Sequence, residues 1–79
     1  LYPNPAHGNV TAQFISETSG TATVNLCNLL GEKIMSSQQS VTEGLNSVAL
    51  STTSVAKGVY VFEMLLNGAV VREKLVISK

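Results

Sequence analysis

His7 and Cys27 are the only imidazole and the only thiol in this chain, which makes them the first candidates for side-chain general-base or thiolate chemistry near neutral pH. A serine or threonine nucleophile needs a base and an orienting acid. His7 stands in a loop containing Pro and Gly, with no carboxylate beside it in sequence. Only a distant Glu brought in by folding would complete a triad, and the plainer reading is a solvated loop histidine. Cys27 lies in an alternating run, on the face opposite Val24 and Leu26. A reactive thiol needs a helix N-terminus or nearby cations to depress its pKa. The sequence offers neither at this point, which leaves a partly buried spectator.

Metal chemistry fares no better. Calcium loops draw on several Asp or Asn oxygens with Glu, and zinc sites on clustered Cys and His. The chain has no Asp, so its five acidic residues are all Glu. No catalytic residue, metal or cofactor is expected. Asn9-Val10-Thr11 matches the glycosylation pattern, which acts only on a eukaryotic secretory route. Tyr2, Phe14, Tyr60 and Phe62 are the only aromatics. Tyr60 and Phe62 share one strand face, where packing is the default explanation over a carbohydrate platform.

With 79 residues, five Lys and Arg against five Glu, and 13% charged residues, the chain is one small neutral domain. Neutrality argues against nucleic acid as a partner, since that needs a basic patch. It also gives no polybasic attraction to anionic lipid. One Cys makes no internal disulfide, and no apolar run reaches the length of a membrane span. Leu1 is an unusual start, so the chain reads as the end of a longer protein.

The elements that must position any site are strands. Runs rich in Val, Thr, Ile and Leu alternate with Gly, Asn, Ser and Pro punctuation, the spacing of an all-β sandwich or barrel. Leu1-Tyr2 reads as a short edge strand before Pro3-Asn4-Pro5, because proline lacks the ladder N–H. Val10 to Phe14 and Ala22 to Leu26 alternate as half-buried strands. Ile34 to Val41 is polar enough for an edge, and Ser47 to Leu50 follows a turn at Glu43 to Asn46. A loop at Ser51 to Lys57, with one helical turn around Thr53 to Ala56, precedes a closing hairpin. Asn67-Gly68 between two apolar runs is the strongest signal in the chain, since a type I′ turn needs φ > 0 twice. In its last strand Leu75 and Ile77 face inward and Lys74 outward, a register that also places Glu73 on the inner row. The count is seven or eight antiparallel strands around Val10, Phe14, Val24, Leu26, Ile34, Val48, Leu50, Tyr60, Phe62, Leu75 and Ile77.

Five segments in order carry a resemblance. They are Tyr2-Pro3-Asn4-Pro5-Ala6, the stretch from Val24 through Gly31 to Ile34, Gly44-Leu45-Asn46, Gly58-Val59-Tyr60-Val61-Phe62, and Lys74-Leu75-Val76-Ile77-Ser78-Lys79. Together they resemble the type A C-terminal sorting domain of the type IX (Por) secretion system of Bacteroidota, over essentially the whole chain. Cys27 stands where an aromatic or aliphatic residue is usual, and Asn28 where Asp is common.

The resemblance implies an immunoglobulin-like antiparallel β-sandwich that is a signal, not an enzyme. Its partners would be an N-terminal cargo domain, the outer-membrane type IX translocon with its shuttle components, and a sortase-like cysteine peptidase. The route would run through the periplasm to the outer membrane, the cell surface or the medium. Gly58, Tyr60, Lys74, Leu75, Val76, Ile77, Ser78 and Lys79 would form the recognised element. Tyr2, Pro3, Asn4, Pro5, Gly31, Gly44, Asn67 and Gly68 would be structural. An exposed closing hairpin also invites self-association between edge strands. Two other classes stay open on the residues alone: an accessory module contacting glycan or protein, and a structural spacer.

Overall fold

The structure, a computed structural model, describes residues 8–78. The expected Leu1-Tyr2 strand, the Pro3-Asn4-Pro5 bend, His7 and Lys79 lie outside the described residues. The described chain forms six strands and no helix: β1 (Asn9–Ser16), β2 (Gly20–Cys27), β3 (Lys33–Val41), β4 (Gly44–Ser51), β5 (Gly58–Leu66) and β6 (Ala69–Ile77). β1 and β4 pair as one two-stranded sheet, and the second sheet runs β3-β2-β5-β6. Every pairing is antiparallel.

Alternation decides which residues meet between the sheets. Val10, Val48 and Leu50 from one sheet share a single buried cluster with Ala22, Val24, Leu26, Phe62, Met64, Leu75 and Ile77 from the other. Burying each large member contributes about 1.5–3 kcal/mol before entropy is counted. Phe14 and Tyr60 pack against this cluster while partly exposed. On one side the sheets are tied by the short turn from β3 to β4 and by Gln39, whose Nε2 donates to the Ala49 carbonyl at 2.8 Å. That bond gives an otherwise solvated edge strand a reason to be polar.

Two expectations are corrected. Ile34 is not a core residue but is 45% exposed, and Met35 takes the inward position. The register sets Met35 opposite Leu26, while Lys33 opposes Cys27, so Ile34 sits at a bulge on the outer row. The 51–57 loop contains no helical turn; Val55 N donates to the Thr52 carbonyl at 3.1 Å, closing a β-turn. That turn inserts Val55 into the cluster beside buried Thr52, and Val41 caps the inner row of β3. Neither valine belongs to the run of an alternating apolar strand, so periodicity did not mark them.

Candidate functional site

The closing hairpin of β5 and β6 is built around its turn. Asn67 and Gly68 have φ of 50° and 81°, and Leu66 pairs with Ala69, which is the two-residue primed turn that Asn-Gly favours. Its tip touches the turn between β1 and β2, where Asn67 Nδ2 donates to Thr18 Oγ1 at 2.6 Å. From the tip the strands run in register to the pair Gly58 and Ile77.

At the far end, Gly58 and Tyr60 form a small arch. The Tyr60 hydroxyl donates to the Ala56 carbonyl at 2.7 Å, and its ring passes back over Gly58. Gly58 has φ of 156°, in a region that glycine alone occupies easily. Space is not the constraint, since an added Cβ would meet the Tyr60 ring at 3.5 Å, an ordinary contact. The glycine therefore sets the entry of β5, and the tyrosine fixes the preceding loop to the sheet.

Opposite the arch, Leu75 and Ile77 are buried and face the core as expected. Glu73 does fall on the inner row, across from Phe62, yet it is exposed because the two-stranded sheet does not cover that part of β6. Lys74 and Val76 occupy the outer row, Lys74 exposed and Val76 half-buried, and Ser78 follows half-buried. The structure thus brings Gly58, Tyr60, Leu75 and Ile77 into one packed corner. Lys74 and Val76 look away from it.

The outer face of the four-stranded sheet carries a polar row that the sequence did not single out. Ser36, Asn25, Glu63 and Arg72 stand opposite one another across β3, β2, β5 and β6. Asn25 Nδ2 donates to Glu63 Oε1 at 3.0 Å, and Arg72 Nε donates to Glu63 Oε2 at 2.8 Å. The Asn25 hydrogen bond first, and the Arg72 hydrogen bond second, hold the Glu63 carboxyl below its ordinary value. Asn25 is buried on this outer face, and its Oδ1 has no hydrogen-bond partner among the described residues. Beside the row lies an open depression of about 340 Å³ lined by Cys27, Asn28, Leu29, Gly31, Val61, Glu63 and Arg72. Cys27 is half-buried at its wall, next to an ion pair whose two charges already satisfy each other. Only register could have revealed this row, because Asn25, Glu63 and Arg72 are far apart in sequence.

Gly31 sits in the turn between β2 and β3, which Asn28 clamps. Asn28 Oδ1 accepts from Leu30 N and Glu32 N, both at 2.9 Å, while its Nδ2 donates to Glu32 Oε1 at 2.9 Å. An Asp at this position would set carboxylate against carboxylate, so Asn28 and Glu32 are a matched pair. Gly44 opens β4 across from Ser16, and Asn46 closes the turn before it by accepting from Thr42 N at 3.0 Å.

No curated protein and no solved structure matches the chain. A family model does, that of the secretion system C-terminal sorting domain, over residues 1–78. With all but its last residue inside that match, the chain belongs to the family of secretion system C-terminal sorting domains, the sorting domains of type IX secretion.

Proposed function

We propose that this domain is the C-terminal sorting signal of a larger secreted protein and directs its cargo across the outer membrane through the type IX translocon. The observation that carries the reading is the family match along residues 1–78. On this reading the domain crosses the periplasm folded, as an immunoglobulin-like sandwich, and meets translocon and shuttle components there. A sortase-like cysteine peptidase then removes it upstream of the strands, and the cargo is attached to the surface or released.

We assign recognition to Lys74, Leu75, Val76, Ile77, Ser78 and Lys79, with Gly58 and Tyr60 shaping the adjoining strand. Burial divides these residues by task. Leu75 and Ile77 spend their side chains on the core, so a receptor reads them only through the geometry they impose. Lys74 and Val76, on the opposite face, offer side chains of alternate character, which is how an extended segment gives specificity to a partner. Deletion of Ser78 and Lys79 tests this directly. Cargo should accumulate in the periplasm while circular dichroism shows the domain still folded. Normal secretion of the folded truncation would overturn the assignment and return the domain to an accessory or spacer role.

A further inference from the structure

We propose that Asn67-Gly68 is a spontaneous modification site, where Asn67 converts through a succinimide to aspartate and isoaspartate, gated by its contact with Thr18. Of the six asparagines, Asn67 alone is followed by glycine, whose nitrogen no β-carbon shields. Among the four described asparagines whose side chains make hydrogen bonds, it is also the most lightly held. Asn25 is buried and bonded to Glu63. Asn28 makes three carboxamide bonds, and Asn46 is held by Thr42 and Gly44 through both ends of its amide. Asn67 is exposed and has one side-chain bond, to Thr18 Oγ1.

The reaction needs only the chain and water. The main-chain nitrogen of Gly68 attacks Cγ of Asn67 and forms a C–N bond, closing a five-membered ring. The bond from Cγ to the amide nitrogen breaks, and ammonia leaves with the proton lost by the attacking nitrogen. Water then adds to one ring carbonyl and opens it. Opening on one side gives aspartate, and on the other isoaspartate, whose main chain is longer by one methylene.

In the folded turn the carboxamide points to its neighbour instead of its own chain. Nδ2 is spent on Thr18, and Oδ1 lies 3.3 Å from the place a Gly20 Cβ would occupy. Attack on Cγ requires the side chain to swing away from this contact. The residues from Asn67 to Lys74 are all exposed, so opening of the tip breaks few buried contacts. Once isoaspartate forms, the two-residue link between Leu66 and Ala69 is too long for its primed turn, and pairing at the tip is lost.

The test incubates the intact chain in neutral buffer and maps isoaspartate by peptide mass spectrometry. Isoaspartate should accumulate at position 67 ahead of every other asparagine. Thr18→Ala should speed its formation about two- to tenfold, the factor that one net hydrogen bond is worth. Thr18→Ser, which keeps the acceptor, should restore the slow rate, and Gly68→Ala should nearly abolish conversion. Hydrogen exchange on the converted protein should lose protection around Leu66 and Ala69 and keep it at Leu75 and Ile77. Thr18 is exposed, so its variants fold, which circular dichroism checks. Absence of isoaspartate at position 67, or equal rates with and without the Thr18 hydroxyl, would overturn the proposal. Secretion of unconverted cargo is unaffected by either outcome, so the sorting reading stands or falls separately.

Discussion

The two ends of the closing hairpin are made of the same kinds of residues and are used in opposite ways. Near the tip Val70 and Val71 are 44% and 47% exposed, whereas at the base Leu75 and Ile77 are fully enclosed. Both ends are ladder-paired to β5 in unbroken register. Hydrogen bonding therefore does not separate them; coverage by the second sheet does. The tip is held by its turn geometry and one bond to Thr18, and the base by the core and the Tyr60 arch. The proposed recognition segment would therefore lie at the end of the strand that the core anchors most firmly.

Leu75→Ala is the sharpest way to break that comparison. Emptying a fully buried leucine site should cost about 2–5 kcal/mol, a large share of the stability of a domain this small. Val71→Ala, one turn of the pleat from the same core, should change stability by no more than about 0.5 kcal/mol. Urea unfolding midpoints of the two variants give the answer. Equal losses would mean that the tip is as well anchored as the base.

An intermediate effect belongs to the arch. Tyr60→Phe keeps the ring and loses only the hydroxyl bond to Ala56, for about 0.5–1.5 kcal/mol. Gly58→Ala forces a β-carbon onto a backbone at φ of 156°, for about 1–3 kcal/mol of strain. Both should shift the unfolding midpoint, and hydrogen exchange should localise the loss to the 56–60 segment. If exchange rises at the tip instead, the two ends of the hairpin are coupled and the division above fails.

Much of this was legible before folding was considered. Asn67-Gly68 announced the turn, and the turn fixed the register that sends Leu75 and Ile77 inward. Alternation also identified Val10, Val24, Leu26, Val48, Leu50 and Phe62 as core. It failed at Ile34 because a bulge lies there, and bulges leave no mark on apolar periodicity. Val55 was hidden because a loop residue reaches the core by a turn, with no period to betray it. Gly58 and Tyr60 stand out in the sequence only through the family resemblance, and the bond from Tyr60 to Ala56 that gives them a structural role depends on loop geometry. The Asn25, Glu63 and Arg72 row was the least visible part, since it exists only once three strands are aligned.

That row gives the smallest effect and a contrast in pH. Glu63 lies midway along the hairpin on the face away from the core, with its carboxylate held by Asn25 and then by Arg72. Its carboxyl is held below the ordinary value in the folded state, so as pH falls the unfolded chain takes up this proton first. The contribution is therefore complete at neutral pH and is lost as pH drops through the folded-state value. Arg72 is 64% exposed at its side chain, so solvent screens the pair and keeps its contribution minor. Glu63→Gln should flatten the acid limb of the stability curve and leave the neutral plateau nearly unchanged, in contrast to Leu75→Ala, which lowers the curve at every pH. An acid limb identical to that of the natural chain would mean that other carboxylates govern acid unfolding. The outer face would then contribute register alone, and the base of the hairpin would owe its firmness wholly to the core.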